Sequence, residues 1–414
     1  MDIRVAIADR ETFDEEAYLR RYPDIARAVA AGKIASGWVH YQAHGAGEGR
    51  QPNDFDEAFY LRAYPLVAND LAQGRGANPF QHYLQVGRAR GYLSHPKAPR
   101  GQNPAAPASP FGGLWIDQRH AEDLIEGKLD TGVITQAQAE QLRFFNRNGY
   151  VVLPGALPKM LLSRARAELE RAFNNGFDGL KFQCDALQGD DMDWQPEILT
   201  LPSTVLDLHH LSAAIRQAVF APNVAGFLEL LFESKAFATQ SHGFLHGAAQ
   251  DARQDSTHVP YTLPRHFVAA WAAFEDVTIG GGEMFYYPGS HRFPDLIYGG
   301  ASKSAMEARR IGIKQAQLNA ETRTHANLIE QRVRSAGIEK AVFSARAGDV
   351  LVRHADLVHG GRAGASDRTR KSLVTHYCPK YASPLFGEDR AMPLHEHDGH
   401  LWTTSHYDLA PGDR

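Results

Sequence analysis

The block from Gly348 to Tyr377 constrains this chain more than any other stretch. It runs Gly348-Asp349-Val350-Leu351-Val352, then His359-Gly360-Gly361, then Arg370-Lys371-Ser372-Leu373 and His376-Tyr377. The apolar runs read as strands, and the glycine-containing pairs beside them as turns. A histidine therefore follows one strand, and an arginine lies in the next, eleven residues further on. Such a histidine, taken alone, is most often a hydrogen-bonded core residue, and such an arginine half of a surface ion pair. An arginine aimed into a barrel is costly unless an anion meets it.

Strand signals dominate after about residue 235. Phe267–Phe274 reads as a buried strand, followed by Glu283–Tyr287, Ala341–Phe343, Val350–Val352 and Ser372–Tyr377. Lys303–Arg334 is polar, Ala-rich and helical, and interrupts the strands where a lid or substrate-shaping insertion would sit. Upstream, Ala121–Asn148 has a helical pattern ending at Gly149, Tyr150–Leu153 reads as a strand, and Pro158–Phe173 as a helix. The expected fold class is α+β: a double-stranded β-helix, jelly-roll or cupin-like, with flanking helices.

The first hundred residues carry a repeat. Phe13-Asp14-Glu15 and Tyr18-Leu19-Arg20-Arg21-Tyr22-Pro23 return as Phe55-Asp56-Glu57 and Tyr60-Leu61-Arg62-Ala63-Tyr64-Pro65, offset by 42. Trp38-Val39-His40-Tyr41 and Gly45 return as Phe80-Gln81-His82-Tyr83 and Gly87 at the same offset. Each unit reads as two short helices, the first starting at an Asp cap and ending near Tyr-Pro. One unit cannot bury its own apolar face, so the two are expected to pack together as a small all-α domain. The repeat resembles helical modules attached to bacterial glycosyltransferases. Its first reading is a packing or docking module for a protein partner, and its second is glycan binding. The expected division is residues 1–93 as repeats, 94–113 as a Pro-rich linker and 114–414 as the barrel domain, with its insertion near 303–334.

Net charge is −4, from 44 basic and 48 acidic residues, so nucleic acid is not an expected partner. Two cysteines, Cys184 and Cys378, make neither a disulfide framework nor a thiolate metal site. Met1–Val5 opens no apolar signal region, and no apolar run approaches the roughly 18 residues of a membrane span. A cytoplasmic location is expected.

Gly281-Gly282-Glu283-Met284-Phe285-Tyr286-Tyr287-Pro288-Gly289-Ser290-His291, together with the block above, resembles the phytanoyl-CoA dioxygenase family. Phe144–Leu153 is similar to the opening of that family, and the resemblance spans about residues 140–385. It implies Fe(II) and the cosubstrates 2-oxoglutarate and O2, with hydroxylation of an unactivated C–H bond. It also implies His359 as a metal ligand and Arg370 as the anchor of the distal carboxylate of 2-oxoglutarate. Arg368 shares the strand face and competes with Arg370.

The family's other two ligands form a His-x-Asp pair. Here Asp255 stands in the carboxylate position and Arg253 in the histidine position. Arginine has no lone pair to give a metal. Being two apart on a strand, Arg253 and Asp255 are expected to form a salt bridge. Three histidines compete to replace the missing ligand: His242 and His246 on the preceding strand, and His258, out of phase with Asp255. His354-Ala355-Asp356 cannot surround a metal alone. His395, His397 and His400 have metal-like spacing but read as surface residues. His291 reads as structural or substrate-facing. The resulting expectation is a dioxygenase acting on a small-molecule, lipid or glycan-related substrate with an altered metal triad. Its rivals are an inactive binding or scaffold protein of the same fold, and a chain whose repeats are the functional part.

Overall fold

The structure, a computed structural model, describes residues 13–74, 78–87, 94, 109–247, 249–364, 368–386 and 394–407. Most of the expected linker, residues 95–108, lies outside the described residues. The chain divides into two compact units, one of residues 1–105 with 117–143, the other of residues 106–116 with 144–414. Residues 117–143 thus group with the repeats, and not with the barrel as the sequence reading has it.

In the first unit each repeat has three helices where two are expected. They are Glu15–Arg21, Pro23–Ala30 and Gly37–His40, then Glu57–Ala63, Pro65–Ala72 and Pro79–His82; each set ends in a π-turn, Tyr41–Gly45 and Tyr83–Gly87. The extra helix comes from the Tyr-Pro step. Proline bars helix in the residue before it, so Tyr22 leaves helical geometry (φ −121, ψ 82), yet Pro23 is preorganised as a first helical residue. One proline ends a helix and starts the next. The Asp14 carboxylate accepts from Ala17 N, and the Asp56 carboxylate from Phe59 N. Tyr18 Oη lies 2.9 Å from His40 Nδ1, and Tyr60 Oη lies 2.9 Å from His82 Nδ1. The same pair therefore recurs in both repeats. Phe80 of the second repeat packs against the Phe13, Tyr18, Ile25 and Tyr41 cluster of the first.

The helix expected over residues 121–148 is two, Ala121–Asp130 and Gln136–Asn148. The break carries a reciprocal cap. Thr135 N donates to Gln138 Oε1 (2.8 Å), and Gln138 N donates to Thr135 Oγ1 (3.3 Å). Gly132, at φ +69, takes the left-handed turn between them.

The second unit opens its sheets with β1 (Tyr150–Leu153), β2 (Phe182–Cys184), β3 (Gly189–Met192), β4 (Thr204–Leu206), β5 (Ala236–Phe244) and β6 (Gln250–Arg253). It continues with β7 (Val268–Ala273), β8 (Met284–Tyr286), β9 (Ala341–Val342), β10 (Val350–His354), β11 (His359–Gly361), β12 (Ser372–Pro379), β13 (His395–His397) and β14 (His400–Trp402). The larger sheet runs β1-β10-β7-β12-β5-β4-β2-β3, with the β13–β14 hairpin attached to β5. The smaller runs β6-β11-β8-β9. This is the double-stranded β-helix expected from the strand signals. Trp271, Met284, Tyr286, Phe343 and Leu351 fill the space between the sheets. The insertion forms helices Ala305–Arg310 and Gln315–Ser335, and Ile329 and Val333 of the longer one pack with Leu296 and Val358.

The recurring tyrosine–histidine pair sets a test of the repeat. Tyr18 is buried, and burial pushes its phenol up to about 12, which keeps it a hydrogen-bond donor. Tyr18→Phe should destabilise the repeats by about 1–3 kcal/mol, the cost of leaving the buried His40 nitrogen without this partner. Urea unfolding of the full chain, followed by tryptophan fluorescence, measures it; no change would remove the pair from the account of the repeat.

Candidate functional site

Side chains along a strand alternate between faces, so residues two apart share one. Gln240, His242 and Phe244 of β5, Val374 and His376 of β12, Trp271 of β7 and Arg353 of β10 all line one cavity between the sheets. From the smaller sheet come Gln250 and Arg253 of β6, Met284 of β8 and His359 of β11. The cavity holds about 350 Å³, and Asp255, His258 and Arg370 also line it. That volume suits a small ligand.

Strand register explains how its floor is assembled. Gln240 pairs with His376, His376 with Ala269, and Ala269 with Arg353, one row across β5, β12, β7 and β10. Ala269 is the small member of the row. Asp255, at the start of a tight turn just after β6, faces both flanks of that gap. Its Oδ2 accepts from Arg353 Nη2 at 2.6 Å and lies 3.5 Å from His376 Nε2. Its Oδ1 lies 3.3 Å from His359 Nε2. All four side chains are buried.

Electrostatics follow from these contacts. Burial alone would raise the Asp255 carboxyl, but Arg353 and then His359 outweigh it and hold the group well below the usual carboxylate range. Burial lowers His359, and the Arg353 charge lowers it further. His359 Nδ1 donates to the Leu357 carbonyl at 2.8 Å, so its Nε2 faces Asp255. His242 is pushed down to about 3 by burial and then by His376, and His258 to about 4 by burial and then by Arg253.

The structure therefore brings Asp255 and His359 together and corrects the expected partner of Asp255. That partner is Arg353, which sequence reasoning missed, and not Arg253. Arg253 sits opposite His359 in the β6–β11 register and lines the cavity, but no ion pair joins it to a carboxylate among the described residues. His376 was missed as well. Its Nδ1 contacts the Gln240 amide, and its Nε2 makes no hydrogen bond. A signal for Arg353 was present. Arg353 interrupts the apolar run Val350-Leu351-Val352 of a strand buried throughout, where a charge needs a buried partner.

Arg370 reaches the cavity and Arg368 does not. Arg370 is buried and Arg368 exposed. Arg370 Nη1 donates to the Gly282 carbonyl at 2.8 Å, and its guanidinium lies 5.5 Å and 5.6 Å from the centres of the Phe244 and Trp271 rings. Its Nε has no hydrogen-bond partner, and among the described residues no carboxylate pairs with it. Desolvation lowers it to about 10. A buried guanidinium with an unused donor beside a cavity is a place for an anion.

Of the other candidate histidines, His242 and His258 line the cavity, and His242 Nε2 has no hydrogen-bond partner, while the rest are held by packing. Both nitrogens of His246 face carbonyls, Arg368 O and Leu199 O. Asp356 of the His-x-Asp sequence is held by Arg265 at 2.7 Å and Lys303 at 3.1 Å. His397 and His400 stack on Phe220, and His395 on Trp402. His291 is buried, its Nε2 is 3.1 Å from Asn146 O, and it abuts Gly149, where an added Cβ would meet its ring at 2.5 Å.

Do these residues fit the iron centre that the resemblance implies? Asp255 Oδ1 and His359 Nε2 converge, and they would be two of its ligands. By the resemblance the third position falls on Arg253, and the second carboxylate oxygen is taken by the Arg353 guanidinium. Among the described residues, no three His, Cys, Asp or Glu side chains are arranged to hold a metal. The donor set does not fit a three-ligand iron site.

A double-stranded β-helix whose cavity is lined by a carboxylate, a histidine and a buried arginine has the architecture of the 2-oxoglutarate-dependent oxygenases. The chain belongs to the phytanoyl-CoA dioxygenase family, whose sequence model matches residues 145–372. Family members use Fe(II), 2-oxoglutarate and O2. The rice phytanoyl-CoA dioxygenase 1 (Oryza sativa subsp. japonica) is 25% identical over 268 residues, which cover 57% of this chain and 87% of that protein. Ectoine dioxygenase of Nocardia farcinica (strain IFM 10152) is 24% identical over 254 residues, covering 59% and 79% respectively. Among solved structures, the non-haem α-ketoglutarate-dependent epimerase SnoN from nogalamycin biosynthesis is similar, with TM-score 0.44 and 20% identity over 64% of this chain and 98% of that one. EctD from S. alaskensis with bound Fe has TM-score 0.41 and 16% identity over 59% and 77%. No helix among the described residues is long and apolar enough to cross a membrane.

Asp255→Asn separates two states of the site. If Arg353 depends on Asp255 as its counter-charge, the variant leaves a buried cation unpaired and should cost about 3–5 kcal/mol. If Asp255 were a bare carboxylate awaiting metal, neutralising it would leave stability unchanged or raise it. Denaturant unfolding in the presence of a chelator distinguishes the two.

Proposed function

We propose that the barrel cavity binds 2-oxoglutarate, or a closely similar dicarboxylate, on Arg370, in a family member whose metal triad is altered at Arg253. One observation carries this reading. Arg370 is buried against the cavity, has no anionic partner among the described residues and keeps an unused Nε donor. A planar guanidinium matches a carboxylate in bidentate fashion. The Phe244 and Trp271 rings flank it, 5.5 Å and 5.6 Å from its guanidinium.

The activity this reading carries is the family's own, hydroxylation of a C–H bond in a small-molecule, lipid or glycan-related substrate. Iron supplies the oxidising chemistry in the family, and the donor set of this chain falls short of holding it in the family's way. A second reading, a binding or scaffold protein without turnover, is favoured by the Arg353–Asp255 ion pair. For the repeats, burial of Tyr18, Phe59, Tyr60 and Tyr64 supports packing or docking over stacking on a glycan.

Calorimetric titration of 2-oxoglutarate tests the assignment. Arg370→Ala should weaken binding by about 2–5 kcal/mol, because it removes one partner of a buried charge pair. Unchanged affinity in this variant would retire Arg370. Succinate formation above background, with added Fe(II) and O2, would favour the oxygenase reading over the binding one.

A further inference from the structure

Resting on that reading of Arg370, we infer that the cavity takes its dicarboxylate without a metal, Arg253 receiving the near carboxylate in the place where iron would otherwise chelate it. The charges in the cavity lead there. Arginines 253, 353 and 370 line it, against aspartates 185 and 255. Arg353 and Asp255 neutralise one another at 2.6 Å. Asp185 is exposed at the surface. Two guanidiniums, Arg253 and Arg370, then remain without a carboxylate partner among the described residues. A dianion supplies two.

The placement of Arg253 fits that role. It ends β6 and pairs in register with His359 on β11, so it stands beside the Asp255–His359 contact. It is half-buried and lines the cavity that Arg370 also lines. Arg353 closes the alternative. With its guanidinium on Asp255 Oδ2, a divalent cation at Asp255 and His359 would meet a fixed positive charge from the same carboxylate. Like charges at that separation repel strongly in a dry interior.

The two modes of binding make different demands on the ligand. A metal-bound 2-oxo acid is chelated through its keto oxygen and the adjacent carboxylate, so the keto group is needed. Recognition by two guanidiniums needs only two carboxylates at the right spacing. Glutarate, which lacks the keto group, separates them.

The experiment is titration of the full chain with 2-oxoglutarate and with glutarate. Each is run once in excess EDTA and once anaerobically with Fe(II) or Mn(II). The expected result is binding of both ligands in EDTA, affinities within about threefold of each other, and no gain from metal. Arg253→Met should weaken both by about tenfold or more, and Arg253→Lys should recover part of the loss. Arg253 is half-buried and outside the packed core, so these variants are expected to fold; circular dichroism checks that they do. Binding only when metal is present would overturn this inference and leave the Arg370 assignment standing. Binding of 2-oxoglutarate but not glutarate in EDTA, or an Arg253→Met variant that binds as wild type, would also overturn it. No binding under any condition would remove the Arg370 assignment together with it.

Discussion

The buried ion pair between Asp255 and Arg353 is the interaction on which the chemistry of this barrel depends. A carboxylate taken out of water needs a cation or a proton. In an iron oxygenase the cation is the metal. Here a guanidinium 2.6 Å away, held on the facing sheet, fills that need. It holds the Asp255 carboxyl down and adds to the burial that lowers His359. It also leaves the chain's other cavity arginines to face whatever anion enters.

That pair exists because of the register between strands. Gln240, His376, Ala269 and Arg353 fall in one row, and the row has a single small member. A larger side chain at 269 would fill the gap over which Asp255 reaches both Arg353 and His376. The turn that begins at Asp255 lifts it off β6, whereas Arg253 stays on the strand. Two residues that a straight strand would aim side by side are thus separated in role. Asp255 reaches Arg353 and His376 on the larger sheet as well as His359 on the smaller one, and Arg253 stays on the smaller sheet beside His359.

Much of this was legible in the sequence. The strands at 150–153, 268–273, 350–354 and 372–379 follow the apolar runs, because a strand buried between layers shows its burial directly in composition. Asp255, His359 and Arg370, the residues to which the family resemblance pointed, all line one cavity. The charge within the Arg353 strand is legible, but its pairing with Asp255 is not, since the two lie 98 residues apart, Arg353 on the larger sheet and Asp255 just after β6 of the smaller. The short helix Pro23–Ala30 escapes a reading in which its proline is a stop alone, and the Thr135–Gln138 cap is hidden because helical periodicity runs on through the break. The first is backbone chemistry with two consequences from one residue. The second is a side-chain signal of four residues inside a pattern of twenty-eight.

On the proposed reading, Arg353 and Arg253 together occupy the chemical place of a metal. Equilibrium dialysis against Fe(II) under anaerobic conditions tests it most directly, comparing wild type with an Arg253→His, Arg353→Met double variant. The expected result is little iron retained by wild type and near-stoichiometric iron in the double variant, with Asp255 and His359 joined by the new histidine. Stoichiometric iron in wild type, or a double variant that folds and still holds none, would contradict it.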